Sequence, residues 1–118
     1  GHGTYFAQNS SKCCLYSELS RTDGTPFRSK GPWKMLLCRV LLGETLRTDQ
    51  SCRGIRKPPD QEDGTPYDSI TALTRQEGGI VDMREYVVFK EANALPVFLV
   101  SYWHSSTCEC HLCRGGAL

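Results

Sequence analysis

The stretch Arg84-Glu85-Tyr86-Val87-Val88-Phe89 constrains the fold more than any other part of the chain. It is short, apolar, and rich in β-branched and aromatic side chains, which is the composition of a buried strand rather than a helix. Glu85 stands at its head. A carboxylate removed from water is costly unless it is paired or hydrogen-bonded. Glu85 is therefore either a solvated strand end or an acid with a chemical task. A second apolar run, residues 33–43, contains Met35-Leu36-Leu37-Cys38 and Val40-Leu41-Leu42. It reads as another buried strand, with Gly43 marking its end.

The remaining segments fit around these two. Residues 1–7 are glycine-spaced and close on Tyr5-Phe6-Ala7, which suits a tight backbone approach followed by a short extended piece. Asn9, Ser10 and Ser11 can each cap a helix start. Leu15 and Leu19 then fall four apart, so residues 10–20 are expected to form a short amphipathic helix. Residues 21–32 read as a loop. Residues 44–66 turn polar, with Pro58-Pro59 and Asp63-Gly64, and form a loop of a length unusual in a compact domain. Residues 67–70, 85–89 and 96–102 read as three further strands, the last two joined through residues 91–94. The layout is α+β and mostly sheet, with one helix near the start.

Composition narrows the partners. With 14 basic and 13 acidic residues among 118, the net charge is +1. That balance makes no electrostatic case for nucleic acid or a membrane surface. No apolar stretch approaches the length of a membrane span, and no signal peptide is visible. The chain opens on Gly1 rather than on a methionine, directly at what reads as a strand edge, so a fragment is expected. Seven cysteines is an odd number, and Cys13 and Cys14 are adjacent. Reduced thiols in a nuclear or cytoplasmic protein fit this better than a secreted disulfide framework.

Several of these segments, taken in order, resemble the catalytic domain of the poly(ADP-ribose) polymerases, specifically its C-terminal part. Gly3-Thr4-Tyr5-Phe6-Ala7 is similar to the family's glycine-tyrosine-phenylalanine-alanine motif. Ser11-Lys12 through Tyr16 is similar to the serine-lysine segment and second tyrosine that follow it. Residues 34–43 look like the strand ending in leucine-glycine, and Tyr67-Asp68-Ser69 resembles the aspartate-serine strand. Glu85-Tyr86-Val87-Val88-Phe89, with Leu95-Pro96 and Phe98-Leu99-Val100, resembles the glutamate strand and its successor.

The resemblance implies an ADP-ribosyltransferase-like fold, mostly antiparallel sheet and incomplete at its N-terminus, over residues 1–103. It implies NAD⁺ as substrate, no required metal, and protein side chains as acceptors. Tyr5 and Glu85 would be the tyrosine and glutamate of a His-Tyr-Glu triad. Tyr16 would stack on the nicotinamide ring from the other face, and Lys12 would lie in the same cleft. The triad histidine would lie on an earlier strand, before Gly1. Cys13 stands where the family usually has a serine that hydrogen-bonds the nicotinamide carboxamide, and a thiol is a weaker donor than a hydroxyl. The retained Glu85 permits chain elongation. Without the resemblance, Tyr5 and Tyr16 read equally as core aromatics and Lys12 as a solvated charge.

Two functions from different classes follow. One is an NAD⁺-dependent protein ADP-ribosyltransferase that releases nicotinamide. The other is a non-catalytic module of the same fold that serves protein contact or weak binding of NAD⁺ or ADP-ribose. Residues 104–118 are expected to be a flexible tail. Its Cys108, Cys110, His111 and Cys113 have ligand types that suit zinc, in a spacing tighter than that of a usual finger.

Overall fold

The computed structural model describes residues 2–14, 16 and 31–109. Their elements are β1 (Thr4–Ala7), α1 (Ser10–Cys14), β2 (Trp33–Val40), β3 (Thr45–Thr48), β4 (Ser69–Ala72), β5 (Glu85–Val88) and β6 (Ala94–Tyr102). Two 3-10 turns, Arg75–Glu77 and Glu91–Asn93, precede β5 and β6. The architecture is α+β, mostly antiparallel sheet with one short helix among the described residues. The chain divides into two compact units, one drawn from Gly1–Asn9 and Cys38–Leu95, the other from Ser10–Leu37 and Pro96–Leu118.

The first unit is built on a four-stranded sheet in the order β1-β5-β4-β3. The β1–β5 and β5–β4 pairs are antiparallel, and β4–β3 is parallel. The apolar run beginning at Glu85 is thus an inner strand, with neighbours on both sides. Val87 and Val88 point to opposite faces and both are buried, as are Ile70, Ser69 and Thr71 on β4. Full burial of a valine or isoleucine side chain contributes about 1.5–3 kcal/mol, so these positions carry much of the sheet's stability. The two buried hydroxyls have partners: Ser69 Oγ donates to the Leu42 carbonyl at 2.7 Å, and Thr71 Oγ1 lies 2.9 Å from Thr45 Oγ1. Burial without those bonds would be unfavourable.

In the second unit, α1 buries Cys14 against Trp33, Met35, Tyr102 and Cys108. The helix expected over residues 10–20 is described over Ser10–Cys14. Leu15 and residues 17–20 lie outside the described residues, and Tyr16 stands in a turn, its amide donating to the Cys13 carbonyl at 3.0 Å. The loop expected at residues 21–32 lies outside them also, apart from its last two positions.

Three other expectations need correction. Residues 33–43 do form a strand, but over Trp33–Val40, and it is not buried. β2 pairs with β6 in a two-stranded ribbon, and Leu36, Leu37 and Leu41 are more than half exposed. An apolar run specifies an extended segment, but burial needs a covering layer, which two paired strands cannot supply to themselves. Residues 44–66 are not all loop, because Thr45–Thr48 pairs with β4 as an edge strand. Its polar sequence, Thr-Leu-Arg-Thr, hides it from a reading based on apolar runs. The strand expected at residues 67–70 runs instead over Ser69–Ala72.

Candidate functional site

Tyr5 and Glu85 come together through sheet register. Tyr5 is opposite Val87, and Ala7 is opposite Glu85. Side chains alternate along a strand, so Tyr5, Ala7, Glu85 and Val87 share one face. Tyr5 and Glu85 are diagonal neighbours on it, a relation that sets Cα atoms about 7–8 Å apart, within reach of an aromatic ring and a carboxylate. Ile70 and Ala72 of β4 continue the same face beside them. Tyr5 is 51% exposed and Glu85 is half-buried, so the pair looks outward from an apolar floor.

Gly3 makes that adjacency possible. A Cβ there would stand 2.5 Å from Val87 Cγ1 and 2.7 Å from the Val88 carbonyl oxygen. Contacts that short are not sustained, so any side chain would push β1 off the strand that carries Glu85. The glycine spacing of the first residues thus has a specific use, two positions before the tyrosine.

The start of β5 is held from its other side by an ionic buttress that sequence reasoning missed. Arg84, next to Glu85 in the chain, is bonded to Glu77 through both its Nε, at 3.3 Å, and its terminal nitrogen. Glu77 also accepts from the Thr74 amide at 3.1 Å and the Thr74 hydroxyl at 2.9 Å, and Arg47 of β3 comes within 3.6 Å. The Thr74 amide, then the Arg84 guanidinium and the Thr74 hydroxyl, hold the Glu77 carboxyl down at about 2. The same pairing raises Arg84 above its ordinary value. A local signal for it exists: Thr74-x-x-Glu77 has the spacing of a capping box, in which an acid reaches back to the residue that opens a helical turn. Polar composition alone makes the segment look like plain loop.

Lys12, Cys13 and Tyr16 belong to the second unit. Lys12 and Cys13 lie on α1 and are half-buried, and Tyr16 follows in the turn at 70% exposure. Tyr16 is therefore not packed as a core aromatic. His2 is exposed, with its amide donating to the Ile55 carbonyl at 2.8 Å. Among the described residues no group of three or more His, Cys, Asp or Glu side chains is arranged to hold one metal ion. Cys110, His111 and Cys113 lie outside the described residues. No described helix is long and apolar enough to cross a membrane.

Residues 1–104 match the family model of the poly(ADP-ribose) polymerase catalytic domain. The chain belongs to that family, and its fold is of the ADP-ribosyltransferase type. Domains of this family use NAD⁺ as substrate and act on protein acceptors.

Proposed function

We propose that the chain contributes the nicotinamide-ribose end of an NAD⁺-dependent protein ADP-ribosyltransferase. The observation that carries this reading is the common face of Tyr5 and Glu85, together with membership of the family. Cleavage of the bond between nicotinamide and ribose develops positive charge on the ribose, as in glycoside hydrolysis. A carboxylate held near that charge stabilises it and polarises the incoming acceptor hydroxyl. The bond from the ribose carbon to the acceptor oxygen forms as nicotinamide leaves, and the acceptor's proton is released. Glu85 takes the carboxylate role. Tyr5 packs on nicotinamide, since offset stacking holds a planar ring in a reactive pose. By the family resemblance alone, Lys12, Cys13 and Tyr16 are further candidates for contact with NAD⁺.

The transferase-type domain spans residues 1–103 in this reading, with residues 104–118 as an appended segment. Its place is the nucleus or cytoplasm, supported by Cys13, Cys14, Cys38, Cys52 and Cys108 all being thiols rather than disulfides.

Glu85→Gln tests the proposal. The substitution keeps size and hydrogen bonding and removes the charge. Transfer of labelled ADP-ribose from NAD⁺ should fall by about 10²–10³-fold, the usual effect of removing one electrostatic stabiliser, with the circular dichroism of the sheet retained. Undiminished transfer would remove Glu85 from the mechanism. No transfer by either chain, with both folded and NAD⁺ still bound, would favour the binding module.

A further inference from the structure

The second unit holds a thiol–imidazole cluster that ADP-ribosyl transfer does not use. The His104 ring stands between two cysteines: its Nε2 is 2.9 Å from Cys14 Sγ, and its Nδ1 is 3.3 Å from Cys108 Sγ. The Tyr102 hydroxyl donates to the same Cys14 sulfur at 3.3 Å, and the Tyr102 and His104 rings are tilted against each other at 5.9 Å. Cys14 is buried, and Cys108 packs against it while remaining half-exposed. The two sulfurs address the two nitrogens of one ring. Proton transfer between the thiols and the ring is what this arrangement supports.

We propose that Cys108 and Cys14 are a peroxide-sensitive dithiol, with His104 as the base that activates Cys108 and Cys14 as the resolving thiol. A neutral imidazole has one N–H and one lone pair. With Nε2–H donating to Cys14, which already accepts from Tyr102, the Nδ1 lone pair faces the Cys108 thiol and takes its proton. The thiolate is the reactive form of cysteine, and Cys108 is the member of the pair that solvent reaches.

The chemistry closes with a hydroperoxide as oxidant. The Cys108 thiolate attacks the terminal oxygen, an S–O bond forms as the O–O bond breaks, and the departing alkoxide takes the proton held by His104. Cys14 then attacks the sulfenic sulfur of Cys108. The S–S bond forms, and the hydroxyl leaves as water with the Cys14 proton. Two thiols and one hydroperoxide give one disulfide, one alcohol and one water, with both electrons passing to the peroxide. Cys108 already packs against Cys14, and the His104 ring turns aside as closure draws the sulfurs to about 2.05 Å.

The test uses the full chain, reduced, then treated with hydrogen peroxide, alkylated and mapped by peptide mass spectrometry. Cys52 is the internal reference, a half-buried thiol in the first unit whose sulfur faces a backbone carbonyl, at 3.8 Å. The expected product is a Cys14–Cys108 disulfide that forms at least tenfold faster than Cys52 is consumed. Cys14→Ser should leave a sulfenic acid on Cys108 that a cyclic diketone such as dimedone tags. His104→Phe should bring Cys108 down to the rate of Cys52 at neutral pH, and alkaline pH should restore it, which a purely structural effect would not do. Should Cys14→Ser not fold, Cys108→Ser serves instead, and this chain should form no disulfide from Cys14. Oxidation of Cys108 at the Cys52 rate, a disulfide to Cys13, Cys110 or Cys113, or an unchanged rate in His104→Phe would each overturn the proposal. None of these readouts depends on transferase activity.

Discussion

The four-stranded sheet and the two-stranded ribbon are made of similar residues and end in opposite environments. β5 carries Glu-Tyr-Val-Val and β6 carries Ala-Leu-Pro-Val-Phe-Leu-Val-Ser-Tyr, so the ribbon strand is the longer and the more apolar. Yet Val87 and Val88 are buried, whereas Leu95, Phe98 and Leu99 are each more than 60% exposed. The difference is one of partners. β5 lies between β1 and β4, while β6 has β2 alone among the described strands. Strand composition selects an extended backbone; the number of neighbours and layers decides how much of it leaves water.

The sharpest way to break this comparison is a matched pair of truncations. Ile70→Ala removes a buried side chain from the inner strand β4 and should cost about 2–5 kcal/mol. Leu99→Ala on the ribbon should stay within about 0.5 kcal/mol. Urea denaturation of both chains gives the two values, and equal losses would mean that the ribbon is as well packed as the sheet. A smaller effect is expected at Gly79, where a Cβ would strike the Leu73 carbonyl group. Gly79→Ala should destabilise by about 1–3 kcal/mol, as other overpacking substitutions do, and a neutral result would show that the turn before β5 yields freely.

The smallest effect is electrostatic and depends on pH. The Glu77 carboxyl is held at about 2, against an ordinary value of 4.5. A group depressed in the folded state contributes stability that is complete above its unfolded value and is lost as pH falls from about 4.5 towards about 2. Glu77→Gln should therefore lower the melting temperature at neutral pH and flatten its decline across that acid window. A Glu77→Gln chain that melts with the same acid slope as its parent would remove Glu77 from the account. The site is partly solvated, so the shift should be modest and should shrink with added salt.

Legibility followed the same line. The strand at Glu85, the extended piece at Tyr5 and the brief helix after it were readable because apolar runs, glycine spacing and capping residues act locally. β3 was not readable, because Thr45, Leu46, Arg47 and Thr48 have little apolar signal, and the strand exists through its pairing with β4. The buttress on Glu77 was half-readable. Thr74 and Glu77 have local spacing, but Arg84 and Arg47 reach the acid only after the chain has folded back.

By itself the sequence determined that the apolar segments would be extended, which family they compose, and that Tyr5 and Glu85 were the residues to watch. Those properties rest on short-range preferences and on motifs kept in order along the chain. Only the tertiary structure decided that Tyr5 and Glu85 share a sheet face, since a slip of one residue in β1 against β5 would turn every side chain of β1 to the other side. It also decided that Leu36, Leu37 and Leu41 stand in solvent, and that Cys14 and Cys108, far apart in sequence, meet at one imidazole. Register and long-range contact belong to pairs of segments, and no single segment encodes them.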